Sequence, residues 1–296
     1  MRVALTGAGG LVGHAVAGRL EAEGHALVRL GRAPPERGAW ARWSLDDEAP
    51  ELPEGCDALV HLALDHRPGL YRGGEGDDPE GFRRRNLGGT LRLLEAARRA
   101  GVPRLILLSS RAALGPQPPG APVPETAAPR PDTLYGEIKR AAEIALARLH
   151  EPGAPTASLR ATGVYGPAAP GRAHKWDALF AAFLGGETPP PRAGTELAAT
   201  DLADAVARLL LAPPEALGPV PFQASDLRLD RRDLLVRVAR LAGCATPLPE
   251  RAPFEGFEMA TGRLRALGWR PGGWAALDAA LPAMLEQTLG GAGARP

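Results

Sequence analysis

Four short apolar runs, at 2–5, 26–30, 58–62 and 105–108, recur through the first 165 residues with longer helical patterns between them. This alternation constrains the fold more than any other feature of the chain. Each run is too uniformly apolar to leave one face in water, as expected of strands covered on both faces by helices. The helical patterns at 11–23 and 90–100 end at Gly24 and Gly101, the residue type that closes a helix at its C-terminal cap. Strands joined through helices pair in parallel, so the expected class is α/β with a doubly wound parallel sheet.

A chain of 296 residues has room for one such domain and a smaller lobe. Beyond Gly166 the pattern is less regular, with helices expected near 176–184, 201–211, 231–242 and 274–289. Proline-rich stretches at 116–131, 189–191, 213–221 and 247–253 read as stiff loops. The expected division is 1–165 for the sheet domain, with a returning segment near 198–212, and 166–296 mainly for a smaller C-terminal lobe that binds substrate.

Charge excludes some partners. With 35 basic and 34 acidic side chains the chain has no net field to attract nucleic acid or an acidic membrane, so a small molecule is the expected partner. Cys56 and Cys244 lie far apart without a C-x-x-C spacing, so neither a disulfide framework nor a metal site is expected. The apolar run before the first glycines is far too short for a signal or a membrane span, and a cytoplasmic protein is expected.

Thr6 to Gly13 reads TGAGGLVG, with glycines at 7, 10 and 13 where a strand turns into a helix. Residues without Cβ let backbone amides and a helix N-terminus approach a pyrophosphate, although a merely tight turn has the same spacing. A dinucleotide fold that prefers NAD places a carboxylate near the end of the second strand to meet the ribose 2′-hydroxyl. No acid occurs between Glu23 and Glu36. Arg32 stands there instead, and a guanidinium pairs with a 2′-phosphate. NADP is therefore expected, with NAD as the alternative; the competing reading makes Arg32 one of many surface arginines.

Tyr135 and Lys139 are four residues apart, on one face of a helix. A neighbouring ammonium favours the phenolate, which suits the tyrosine to proton transfer near neutral pH. Only two lysines, Lys139 and Lys175, occur in a chain with 33 arginines, so a compact ammonium is specifically used at 139. The alternative is a solvated pair on a helix surface. The run at 105–108 ends in Ser109 and Ser110, at the sheet edge where α/β folds bind ligands. A hydroxyl there can hold a substrate oxygen, or cap the strand.

These pieces occur in an order that resembles the extended short-chain dehydrogenase/reductase superfamily, in its NAD(P)-dependent epimerase/dehydratase group. The matching segments are TGAGGLVG at 6–13, DALVHLA at 57–63, NLGGT at 86–90, LLSSRAALG at 107–115, YGEIK at 135–139, LRATGVYGP at 159–167 and TDLADAV at 200–206. The resemblance implies a Rossmann-like fold with Tyr135 as general acid/base and Lys139 as its partner on the nicotinamide ribose. By the same mapping Ser110, rather than Ser109, is the catalytic hydroxyl, and Asn86, the single asparagine, relays protons or serves a structural kink. Gly7, Gly10, Leu11, Val12 and Gly13 meet the pyrophosphate, Leu62 and Ala63 line the nicotinamide ribose, and Ala161 and Val164 approach the nicotinamide. A homodimer through the helix bearing Tyr135 is a further implication.

Departures from the family pattern narrow the expected reaction. The adenine contact maps onto Trp43, Ser44 and Leu45 without its aspartate, and the arginine that holds a diphosphate in sugar-nucleotide enzymes falls on Gly194, with Arg192 nearby. Arg111 and Ala112 replace the acid pair of the dehydratases. The leading expectation is an NAD(P)-dependent oxidoreductase acting at a carbonyl or carbinol carbon of a small carbonyl, alcohol or sugar substrate. A sugar or sugar-nucleotide epimerase and a non-catalytic NADP-binding regulator are the alternatives. Arg172, His174 and Trp176 are candidate substrate contacts, Arg83 to Arg85 a solvated helix face, and the segments 65–85 and 116–131 candidate walls of the pocket.

Overall fold

The computed structural model describes residues 1–66, 74–118 and 120–292. In chain order the elements are β1 (Arg2–Thr6), α1 (Leu11–Ala22), β2 (Ala26–Gly31), β3 (Ala39–Arg42), β4 (Ala58–His61), α2 (Pro79–Arg83), a π-turn (Arg84–Gly88) and α3 (Gly89–Arg99). Next come β5 (Arg104–Ser110), a 3-10 turn (Arg111–Ala113), α4 (Leu134–Arg148), β6 (Thr156–Ala161), β7 (Gly163–Tyr165) and α5 (Asp177–Leu184). The chain closes with β8 (Ala193–Ala198), α6 (Ala199–Leu211), β9 (Phe222–Ala224), β10 (Leu227–Asp230), α7 (Arg231–Ala242), α8 (Gly262–Ala266) and α9 (Gly273–Ala292).

Seven strands form one parallel sheet in the order β3-β2-β1-β4-β5-β6-β9. From β1 the chain winds outward to β3, then crosses to β4 and winds the other way. This is the Rossmann-like doubly wound order, and its reversal leaves a crevice at the carboxyl ends of β1 and β4. Both faces are buried, as the apolar runs require. Val16 and Leu20 of α1 pack with Leu202 and Val206 of α6 over Val3, Leu5 and Val60. On the other face Leu93 and Leu94 of α3 and Ala142 and Leu146 of α4 cover Val28, Leu59 and Leu105.

A second sheet, ordered β10-β8-β7, builds the smaller lobe together with α5, α7 and α9, around Phe180, Phe183, Leu235, Leu277 and Leu281. Asp230 caps α7 by accepting from the Arg232 amide, and Gly243, at φ 66°, closes it in the left-handed conformation. The chain past Gly166 returns to the large sheet more than once. The first return is α6, which lies along α1. The second is β9, a three-residue strand that pairs with β6. No helix among the described residues is long and apolar enough to cross a membrane.

Candidate active site

The glycine turn closes against two neighbours. Gly7 adopts φ 71°, and a Cβ there would stand 2.8 Å from the Ala63 nitrogen and 2.9 Å from the Leu62 carbonyl carbon. A Cβ on Gly13 would fall 2.0 Å from the Gly7 oxygen. Gly9 has open space beside it, and a Cβ on Gly10 would meet only the Gly7 oxygen, at 3.5 Å. The turn is thus tight toward β4 and α1 and open on its outer side. Helix α1 starts at Leu11 with no capping side chain and no acid in its first turn. Its leading amides, Leu11 and Val12 among them, and the positive end of its dipole suit an anion. This cradle fits the diphosphate of a dinucleotide.

Behind the turn a buried relay fixes the strand ends. Thr6 Oγ1 accepts from the amides of Leu62 (3.0 Å) and Ala63 (3.2 Å). Its own proton therefore goes to His61 Nδ1, 2.7 Å away. The neutral ring then carries its proton on Nε2 and donates to Thr90 Oγ1 at 2.8 Å, and Thr90 donates on to the Asn86 carbonyl at 2.6 Å. Burial, and secondarily the charge of Lys139, lower the His61 pKa to about 3, so the imidazole stays neutral. Gly7, Leu62 and Ala63 are held together through this chain.

Tyr135 and Lys139 of α4 stand beside β5, the strand that ends at Ser110. Thr133 caps α4 by accepting from the Gly136 amide. A Cβ on Gly136 would lie 2.3 Å from the Ala112 oxygen, so glycine there lets the start of α4 press onto the 3-10 turn that follows Ser110. Tyr135 is buried against Phe82 and Ile138. The Lys139 ammonium sits 5.9 Å from the centre of the Tyr135 ring and donates to the Leu108 carbonyl at 2.9 Å. Burial lowers its pKa to about 8, against the opposing pull of Glu143. Ser110 Oγ accepts from the Ala112 amide at 3.2 Å, and Ser110 pairs in register with Ala161 at the end of β6. Val164 follows on β7.

Asn86 lies in the π-turn. Its amide nitrogen donates to the carbonyls of Asp65 (2.8 Å) and Phe82 (3.0 Å), and its Oδ1 accepts from the Asp65 amide (2.7 Å). Both protons of the amide are thus engaged with backbone. Arg83 pairs with Glu137 of α4, and Arg85 bridges Asp65 and Asp78, so two of the three arginines tie elements together. An open depression lined by Asp65, Asp78, Phe82 and Arg85 among others lies beside the π-turn. Residues 67–73 and 119 of the expected pocket walls lie outside the described residues.

Arg32 is exposed just past the end of β2. His174 is buried in the lobe, with Nε2 2.9 Å from Thr288 Oγ1 and Nδ1 accepting from the Trp176 amide. Trp176 stacks on Tyr165, with ring centres 5.2 Å apart. Both belong to the lobe's core. Sequence reasoning passed over Glu143 and Arg160, which form a buried cluster with Ser109, and the roles of Thr6 and Thr90 beside His61. The spacing of Glu143, four residues after Lys139, was a usable signal. One arginine among 33 was not.

The model of the NAD dependent epimerase/dehydratase family matches residues 3–220. A 3-diazoavenalumate denitrifying reductase of Streptomyces sp is 38% identical over 136 residues, 44% of this chain and 43% of that protein. The chain spans less than half the length of the curated relatives it matches. Among solved structures, UDP-glucose 4-epimerase of Thermus thermophilus in complex with NAD is similar at 26% identity and TM-score 0.76, over 96% of this chain and 99% of that one. The UDP-glucuronic acid 4-epimerase of Bacillus cereus, in complex with UDP-glucuronic acid and NAD, shares the fold at 20% identity and TM-score 0.78, over 98% and 99% of the two chains.

Proposed function

The chain belongs to the NAD dependent epimerase/dehydratase family, and from that premise we propose that it is an oxidoreductase working at a carbonyl or carbinol carbon, with Tyr135 as general acid/base. The observation that carries this reading is the buried pairing of Tyr135 and Lys139 on α4, beside the end of β5. When bound, the dinucleotide supplies or receives the hydride. Tyr135 and Ser110 hold the substrate oxygen, and Tyr135 gives it a proton in the direction of reduction. Lys139 stabilises the phenolate left behind. Gly7, Gly10, Leu11, Val12 and Gly13 would hold the diphosphate, with Leu62, Ala63, Ala161 and Val164 around the nicotinamide end.

Arg32 supports NADP as the cofactor, because it stands where an NAD-selective fold carries an acid. Purified protein with NADPH and a panel of aldehydes and ketones is expected to show loss of absorbance at the reduced-nicotinamide band. Tyr135→Phe should lower turnover by at least a hundredfold, in keeping with general acid–base catalysis, while cofactor binding persists. Full activity in that variant would exclude the acid/base role. In the same assay Arg32→Asp is expected to reverse the preference for NADPH over NADH, and an unchanged ratio would return the assignment to NAD.

A sugar-nucleotide epimerase is the second reading, favoured by the full-length likeness to the Thermus thermophilus enzyme. Gly194 in place of a diphosphate-holding arginine speaks against it. Interconversion of UDP-glucose and UDP-galactose by the purified protein would decide for it.

A further inference from the structure

Glu143 lies one helical turn beyond Lys139 on the same buried face of α4, and proton transfer as described leaves it without a task. Its side chain is 1% exposed, as is that of Arg160 on β6. Arg160 grips it with both arms of the guanidinium, Nε donating to Oε1 at 2.8 Å and Nη2 to Oε2 at 2.7 Å. Ser109 Oγ donates to Oε1 at 2.5 Å, and Arg140 reaches Oε2 at 3.2 Å from the half-exposed side of the helix. Such a pair does little for stability, because desolvation offsets its attraction and apolar residues of similar volume fill a core as well. Its position explains it better.

The buried ammonium of Lys139 is the group that gains from a fixed negative charge. The groups around it are Tyr135 and Glu143 on its own helix and neutral His61 on β4, and Glu143 is itself held by Arg160 of β6 and Arg140 of α4. Arg83 of α2 meets Glu137 at the exposed edge of α4 instead. We propose that Glu143, clamped by Arg160 and Ser109, is a positioning residue that keeps the buried Lys139 charged at neutral pH. The proposal rests on the reading of Lys139 as the partner of Tyr135. Glu143 touches neither substrate nor cofactor and acts through Lys139 alone. It also gives the two serines at the end of β5 separate tasks. Alternate residues of a strand face opposite sides, so Ser109 turns toward α4 while Ser110 is left at the crevice.

The composition of the chain supplies the test, because only two lysines are present. With lysine labelled at 13Cε, the protein is expected to give two side-chain resonances, assigned by Lys139→Arg, whose shifts report each ammonium as pH is raised. Lys139 is expected to titrate near 8 in the unmodified protein. In Glu143→Gln/Arg160→Met, which removes both charges and refills the volume, its midpoint should fall by about one pH unit or more, while that of Lys175 stays put. Ser109→Ala, which loosens the carboxylate without uncovering a charge, should move the midpoint the same way by less. A Lys139 midpoint below 7 in the unmodified protein overturns the proposal. So does a midpoint unmoved in the double variant or, should that variant fail to fold, in Ser109→Ala. No substrate enters the titration, so its failure is separate from that of the acid/base assignment, which Tyr135→Phe decides.

Discussion

At the scale of single residues, the candidate site is organised by groups whose protonation is fixed by burial. His61 shows it most clearly. Its ring bridges Thr6 and Thr90, and only the neutral form can accept from Thr6 while donating to Thr90. In an unfolded chain this imidazole takes up a proton near pH 6.5, and in the folded protein only near 3. Because the folded pKa is depressed for a base, the contribution of His61 to stability is complete above pH 6.5 and declines as pH falls from there toward 3. The decline is about 1.4 kcal/mol per pH unit. Urea unfolding at pH 6.5 and 4.5 should therefore show a steeper loss of stability for the unmodified protein than for His61→Gln, which has no proton to gain. Equal losses would mean that the ring takes up its proton alike in the folded and the unfolded chain, which the neutral bridge between Thr6 and Thr90 excludes.

At the scale of elements, legibility followed burial on two faces. β1, β2, β4 and β5 were readable within a residue or two because their side chains are almost all apolar, and α7 because an aspartate and a glycine mark its ends. β6 did not stand out: Thr156, Ser158 and Arg160 are polar, and their partners Glu143 and Ser109 come from other elements that a local pattern cannot show. β9 has three residues, too few for any period to be visible. The helix expected at 90–100 is the last part of a longer run from Pro79 to Arg99, broken by the π-turn at Asn86. There the extra residue per turn aims Asn86 at the backbone of Asp65, a tertiary contact that spacing alone does not encode. At the site itself, glycine turn, tyrosine and lysine were visible because the chemistry requires fixed spacings. The clamp beneath the lysine was hidden because it is assembled from three separate segments.

At the scale of the whole molecule, the two lobes are stapled by the chain's late return. Trp269 is fully buried in the core between α1, α6 and the large sheet, and its ring nitrogen donates to the Asp201 carbonyl of α6 at 2.8 Å. Arg208 of α6 donates to the Leu267 carbonyl at 3.0 Å, and the Arg263 amide to Glu125 at 3.1 Å. A few residues on, Asp201 and Asp226 accept from the amides of Gly272 and Gly273, where α9 sets out into the core of the smaller lobe. The strand β9 and the helix α6 tie the same lobe to the large sheet, so neither core can open without uncovering part of the other. Calorimetry and far-UV circular dichroism are expected to trace one coincident unfolding transition. Trp269→Ala would leave a cavity at the staple and cost about 3–5 kcal/mol, a fall in Tm on the order of 10 °C, while still giving a single transition if α6 and β9 suffice to couple the lobes. Two resolved transitions in the unmodified protein would show instead that the smaller lobe melts independently, and that hydrogen bonds at Asp201 and Asp226 only guide the path of the chain.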